Sequence, residues 1–476
     1  MDTFFISLAL IIGFYMLWNI GANDVANAVG TSVGSGAINL RQAILIAAFL
    51  EFGGAFILGS NVSETIQKGI IDPKMFVNTP NIFIMGMLAS LLGTALWLQF
   101  ATFFRWPVST THAIVGSVMG FGVLVGGFQS VQWGEVGKIA LSWIISPTLA
   151  GVVAFFFFSY IQRRVLHSFN PLLSTQKRAP LFAFIVLMTF CLSTFWGGIK
   201  SMNFSIPIYL TALLSIVISG LGALIIGHIC RSGTKNAKMS YILAAKHDRR
   251  LYSLLKVQKH LIKAKLATSE EGTKDEIATL LLQADHLIKE ANSKAQFETE
   301  LAADYKGAES IFAILQILTA CFVAFAHGSN DVANAVGPVS GIINVIKDPA
   351  ALIHSSTIST PLLLFGGAGI VIGLATYGFK VIETIGNKIT QLTPTRGFAA
   401  EFAAASTILV ASKLGMPIST THAIVGAVLG VGLAKGLSAL NLQLLRNIFL
   451  SWIITLPFSA LFTIIIYFIF SLFLSI

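Results

Sequence analysis

Charge is what this chain has least of. Only 11% of its 476 residues are Asp, Glu, Lys or Arg, while 55% are hydrophobic, a balance that excludes an ordinary soluble domain and indicates a polytopic membrane protein. Cysteine is nearly absent. Cys191, Cys230 and Cys321 stand singly in or beside apolar segments, so neither a disulfide framework nor a metal-ligand spacing is available, and small buried thiols are expected. The opening Met1-Asp2-Thr3-Phe4 lacks a basic leader and a small-residue cleavage site, so the first apolar segment is expected to stay in the mature protein. Nucleotide-binding, zinc and nucleophile motifs are missing too, and an enzyme is not expected. What the chain has in excess is glycine, 42 residues, and phenylalanine, 37.

Where charge does enter the apolar runs, it does so twice in the same form. Gly21-Ala22-Asn23-Asp24-Val25-Ala26-Asn27-Ala28-Val29-Gly30 returns as Gly328-Ser329-Asn330-Asp331-Val332-Ala333-Asn334-Ala335-Val336-Gly337, identical at nine of ten positions. From Thr3 to Leu40 the only charge is Asp24, and from Ser310 to Ile346 it is Asp331. A helix of either length would rise about 55 Å against a hydrocarbon core of roughly 30 Å. Each stretch therefore reads as one crossing interrupted near its middle, with two short crossings as the competing reading. A loosened backbone at that depth must be buried in protein or line a cavity.

The duplication extends further. Phe52-Gly53-Gly54-Ala55 returns at Phe365-Gly366-Gly367-Ala368, Ser109-Thr110-Thr111-His112 at Ser419-Thr420-Thr421-His422, and Ser142-Trp143-Ile144-Ile145 at Ser451-Trp452-Ile453-Ile454, all at offsets between 307 and 313. Each Ser-Thr-Thr-His block follows a proline (Pro107, Pro417) and precedes a short Gly-rich apolar segment. Proline disfavours helix just before it, while Ser and Thr cap the helix that follows. Residues 82 to 128 and 396 to 437 thus read as re-entrant helical hairpins with polar tips. Three crossings per repeat and two connecting spans place an odd number between the repeat starts, which inverts the second copy, the plan of many secondary transporters.

The expected division is a first membrane repeat over 1–161, two connecting transmembrane helices over 181–228, a cytoplasmic helical insert over 229–308 and a second membrane repeat over 309–476. With both termini outside, Arg41, Arg163, Arg164, Lys177, Arg178, the insert, Lys380, Lys388, Arg396, Lys435 and Arg446 fall inside, against Lys68, Lys74, Lys138, Lys200 and Lys347 outside. That is the positive-inside asymmetry, and it accounts for the net charge of +10 without nucleic acid as a partner. In the insert, Leu251, Leu254, Leu255, Leu261 and Ile262 have helical spacing, and Thr273 with Glu276 fits a capping box. A helical pair is expected there, serving as a solvated linker or as a regulatory or partner-binding element.

The tips Ser109, Thr110, Thr111 and Ser419, Thr420, Thr421 offer hydroxyls beside helix N-termini, where unpaired N–H groups and the helix dipole favour an anion. Two tips facing across a cavity would suit a dehydrated tetrahedral oxyanion, although Ser and Thr also serve simply as caps. Asn23, Asp24, Asn27, Asn330, Asp331 and Asn334 offer hard oxygens for a small cation such as Na⁺, or an aspartate that carries a proton, or a carboxylate satisfied by local N–H groups. Glu51 and Glu401 are further intramembrane carboxylates at unmatched positions, aligned with Leu364 and Leu91. They are candidates for proton relay, cation binding or a structural hydrogen bond. His112 and His422 could contact the anion or shuttle a proton, or orient the tip by a local hydrogen bond. Arg105 and Lys413, just before the tips, could attract an anion.

These paired blocks, together with Leu392-Thr393-Pro394-Thr395-Arg396-Gly397-Phe398-Ala399-Ala400-Glu401, closely resemble the inorganic phosphate transporter (PiT) family over both membrane halves. The resemblance implies phosphate cotransport driven by Na⁺ or H⁺ in a cell membrane, an all-α fold of about twelve segments with two re-entrant hairpins, and a homodimer. It implies no cofactor beyond the coupling ion. It assigns phosphate to the two Ser-Thr-Thr tips, sodium or site closure to the two Asn-Asp motifs, and importance for transport to Glu51 and Glu401.

Overall fold

The computed structural model describes residues 2–104, 106, 108–196, 205–244, 249–268, 270–353, 358–378, 393–436 and 442–473. Arg105, Pro107, Lys200, Lys380, Lys388 and Leu392 lie outside them. Among the described residues the regular structure is helical, and the only β pairing is an isolated bridge between Ile71 and Val131. Nine helices there are long and apolar enough to cross a membrane, and two apolar helices, Thr110–Gly126 and Thr420–Lys435, are shorter.

The chain forms two compact units. The first comprises Met1–Ile161, Leu181–Ala223 and Phe312–Ile476; the second comprises Gln162–Pro180 and Leu224–Ile311. In chain order the helices are α1 (Asp2–Gly34), α2 (Leu40–Lys68), α3 (Pro80–Phe103), α4 (Thr110–Gly126), α5 (Trp133–Ile161), α6 (Pro171–Phe195), α7 (Ile208–Ala244), α8 (Arg249–Ala267), α9 (Glu271–Asp331), α10 (Ala333–Lys347), α11 (Thr360–Gly373), α12 (Pro394–Lys413), α13 (Thr420–Lys435) and α14 (Leu442–Phe473).

Local chemistry sets where these helices begin. Asn39 caps α2 through a reciprocal box with Gln42, and α3 and α12 start on prolines, whose missing N–H costs nothing in a first turn. Ser109 and Ser419 cap α4 and α13, each accepting from the backbone N–H of the histidine three residues on, at 3.2 Å in both copies.

The expected interruption of the first crossing is not present: α1 runs unbroken through Asn23, Asp24 and Asn27. The second is interrupted at one residue, Val332, between α9 and α10, and even there the dihedrals are helical (φ −57°, ψ −32°). Pro338, inside α10, has no N–H to give the carbonyl four residues back, and Thr31 stands at its place in the first copy. Asn27, Asn330, Asp331 and Asn334 take partners from other helices, so the backbone need not unwind to satisfy them.

In the first unit the two halves interlock. α11 packs on α1, α10 on α2, α13 on α5 and α14 on α4. Glycine permits the closest approaches: a Cβ at Gly21 would lie 2.0 Å from the Ile370 carbonyl, and one at Gly328 would lie 2.1 Å from that of Glu51. These two glycines open the two Asn-Asp motifs, so each motif is pressed backbone to backbone against a helix of the other half.

In the second unit the Gln258 amide on α8 donates to Asp285 on the insert part of α9. Thr273, expected as a cap with Glu276, lies inside α9, which begins at Glu271, and its hydroxyl donates to Glu270 (2.8 Å). Tyr305 donates to the Leu166 carbonyl (2.8 Å).

Candidate binding site

The first unit brings both motifs and both tips into one buried polar cluster. Asn27 Nδ2 donates to Asp24 Oδ1 (3.1 Å) on its own helix and to Thr421 Oγ1 (2.8 Å) on the tip of the other half. Its counterpart Asn334 makes the reciprocal contacts, to Thr110 Oγ1 (3.3 Å) and Thr111 Oγ1 (3.4 Å). Asp331 Oδ2 accepts from Thr420 (3.0 Å) and Thr110 (3.4 Å), one hydroxyl from each tip. The tips also touch directly, through Thr111 Oγ1 donating to the Ile418 carbonyl (2.9 Å). Asn330, with its amide turned so that both atoms have a partner, donates to the same carbonyl (2.9 Å) and accepts from Ser412 (3.1 Å).

Within the two motifs, Asp24 Oδ2, Asn334 Oδ1 and Asn23 Nδ2 are buried with no hydrogen-bond partner among the described residues, and the adjoining Glu51 carboxylate and His327 ring nitrogens likewise make no aligned hydrogen bond. A buried oxygen with nothing donating to it is costly to desolvate, and two such oxygens on opposite motifs suit a cation. Ser109 and Ser419 accept backbone N–H groups and still carry their own hydroxyl protons. The first intrahelical bonds of α4 and α13 are made by Ala113 and Ala423, so the N–H groups of Thr110, Thr111, Thr420 and Thr421 precede the helical ladder. The cluster thus holds hydroxyl and amide donors beside carboxylate and carbonyl oxygens, with an anion's partners and a cation's partners side by side.

His112 and His422 point away from the tips. Their rings approach to 4.4 Å between centroids, His112 lies against Trp143 and His422 against Trp452. His112 Nδ1 faces the Trp452 carbonyl (3.5 Å) and His422 Nδ1 the Trp143 carbonyl (3.2 Å). A carbonyl only accepts, so each Nδ1 carries the proton and ties a tip to the closing helix of the opposite half. Lys413 reaches the Thr194 carbonyl (3.5 Å), and Arg105 lies outside the described residues.

The two glutamates occupy different surroundings. Glu51 joins the cluster through His327, whose Nδ1 is 3.0 Å from Glu51 Oε1 and whose Nε2 is 3.1 Å from Asp331 Oδ2. Glu401 has a shell of its own: Oε1 accepts from Thr31, Ser32 (2.6 Å) and Gln316 (3.0 Å), and Oε2 from Thr319 (2.8 Å). Thr31, Ser32, Gln316, Thr319 and His327 escaped the motif reading. His327 did leave a trace, since it stands immediately before the second motif, where Ile20 precedes the first. The other four sit outside any repeated block, and only their contact with Glu401 marks them.

Buried apolar helices around a central cluster of paired hydroxyl, amide and carboxylate groups define a multi-pass integral membrane transporter. The phosphate transporter family model matches residues 20–463, and the chain belongs to that family. It is 43% identical over 463 residues to a protein of Chlamydia pneumoniae, covering 97% of each chain. It is 41% identical over 467 residues to the inorganic phosphate transporter 2-1, chloroplastic, of Arabidopsis thaliana, covering 98% of this chain and 72% of that one. A solved structure described as the sodium-dependent phosphate transporter superposes with a TM-score of 0.78 at 36% identity, over 98% of this chain and 99% of that chain.

Proposed function

We propose that this protein is a secondary active symporter that carries inorganic phosphate together with Na⁺ by alternating access. The observation that carries the reading is the meeting of two hydroxyl tips at Asp331, close to Asp24, where Asp24 Oδ2 and Asn334 Oδ1 lack hydrogen-bond partners among the described residues. A cation seated among the Asp24, Asn334 and Asp331 oxygens offsets carboxylate charge that would repel phosphate. The anion then sits between the tips, taking Ser and Thr hydroxyls and first-turn N–H groups in place of its water shell. Asn23, Asn27 and Asn330 complete the oxygen and amide set. The likeness to a sodium-dependent phosphate transporter favours Na⁺ over H⁺ as the coupling ion.

In this reading α3–α4 and α12–α13 are re-entrant hairpins of two inverted repeats in a fold of about twelve membrane segments. Both termini lie outside, the insert is cytoplasmic, and the protein works as a homodimer in the cell membrane. Rocking of interlocked repeats would expose the central site to one side and then the other. His112 and His422 hold the tips in register during that motion.

Uptake of labelled phosphate by proteoliposomes, with Na⁺ and pH gradients imposed separately, tests the reading. An inward Na⁺ gradient should drive accumulation, and Asp24→Asn and Thr110→Ala should each reduce it about tenfold or more, the scale of a lost charge-assisted contact. Uptake insensitive to both gradients, or unchanged in both variants, removes the assignment.

A further inference from the structure

The two Asn-Asp motifs are nearly identical in sequence, yet their aspartates are held differently. Asp24 Oδ1 accepts from Asn27 and its Oδ2 has no partner among the described residues. Asp331 Oδ2 accepts from Thr420 and Thr110, and His327 Nε2 lies 3.1 Å from it, an ion-pair distance without hydrogen-bond alignment. His327 and Asp331 are one turn apart on α9, so the ring stacks over the carboxylate on the same helix face. The other ring nitrogen reaches Glu51 on α2, and both side chains are buried, at 1% and 0% exposure. Gly328, next to His327, lets α9 press on the Glu51 backbone and sets the distance between the two helices.

The mirror position lacks both partners. At the motif offset of 307 His327 corresponds to Ile20, and at the glycine-block offset of 313 Glu51 corresponds to Leu364. The glutamate and the histidine are present together in one half and replaced together by apolar residues in the other. Two buried polar groups that would each be costly alone occur only as a pair.

We propose that His327 is a positioning residue of the cation site: braced by Glu51, it holds the Asp331 carboxylate in place beside Asp24, and Glu51 contributes to cation binding through His327. This inference rests on the Na⁺-coupled reading above. Asp24, His327 and Asp331 each place a ligand-type atom within 4.8 Å of the others. A shift of the Asp331 carboxylate therefore alters the oxygen set offered to Na⁺ directly. The bonds from Thr110 and Thr420 to Asp331 move with the carboxylate, but the caps and the Asn27 contact do not involve it, so the phosphate tips are disturbed less than the cation site.

The test is a pair of titrations in proteoliposomes: Na⁺ activation at saturating phosphate, and phosphate dependence at saturating Na⁺. His327→Ala should raise the half-activating Na⁺ concentration about tenfold and the phosphate KM less than about threefold, the first being the scale of one lost buried charged contact. Glu51→Gln should shift Na⁺ activation similarly, and the double variant should shift it no further, since residues acting in series are not additive. His327→Gln can place its amide where Nε2 stood and should keep Na⁺ activation within about threefold of the parent, whereas His327→Asn, which reaches only the Nδ1 position, should behave like His327→Ala. Ile20→Val, at the mirror position, should leave both titrations unchanged.

Multiplying shifts in the double variant, equal movement of the Na⁺ and phosphate parameters, or a His327→Gln no better than His327→Ala would overturn the inference. Should His327→Ala fail to fold, Glu51→Gln and His327→Gln carry the same test. A parent protein without Na⁺-dependent uptake defeats the proposed function itself; a Na⁺-dependent parent with the wrong pattern of variants defeats this inference alone.

Discussion

Two places in this molecule occupy the same position in the duplicated sequence and are built from opposite chemistry. Around Glu401 a buried carboxylate takes donors from Thr31, Ser32, Gln316 and Thr319, tying α12 to α1 and α9. At the corresponding positions of the other half stand Leu91, Pro338, Val339, Ala9 and Ile12, at offsets of 310 and 307. Of these, Ala9, Ile12, Leu91 and Val339 belong to one hydrophobic core cluster. The equivalent positions of the two halves are thus polar in one copy and apolar in the other. The two are not energetically equivalent. A four-donor carboxylate holds one geometry and loses all its contacts when the helices part, whereas an apolar seam tolerates sliding at small cost.

Crossing the two chemistries should produce the largest effect. Leu91→Glu puts a carboxylate into the hydrophobic core cluster that also holds Ala9, Ile12 and Val339, and should cost about 4 kcal/mol or more, or prevent folding, as read by thermal unfolding in detergent. Glu401→Ala removes the acceptor from four buried donors and should destabilise by about 3 kcal/mol. If it proves as mild as an apolar truncation, the cluster is wetter than its burial implies. Thr319→Val deletes one of the four donors and should cost about 1 kcal/mol. Ile12→Val, on the apolar side, should fall at about 0.5–1.5 kcal/mol, with no change in the Na⁺ dependence of uptake. A reversed ranking between Glu401→Ala and Ile12→Val would erase the distinction between the two seams.

The residue pattern carried much of this account, for identifiable reasons. Asp24 and Asp331 were conspicuous because charge is so scarce around them. Ser109 and Ser419 are legible as caps because each Ser-Thr-Thr block follows a proline, and both do cap their helices. The first crossing is continuous, against the expectation of a break. A polar run inside an apolar one suggests unwinding only while its partners are unknown, and Thr421 supplies one across the fold. His327 was overlooked because a lone histidine has no spacing to advertise it, and its two partners come from α2 and from the next turn of α9.

By itself the sequence determined that the chain is a duplicated, lipid-embedded transporter of the phosphate family, because composition, repeat order and motif identity are properties of residues in a line. Only the tertiary structure decided which of the matched groups are equivalent in fact. Whether a buried carboxylate is held, as Asp331 and Glu401 are, or left with an open oxygen, as Asp24 is, depends on donors brought from distant segments. The free energy of a buried polar group is set by the neighbours within about 3 Å of it, wherever in the chain they come from.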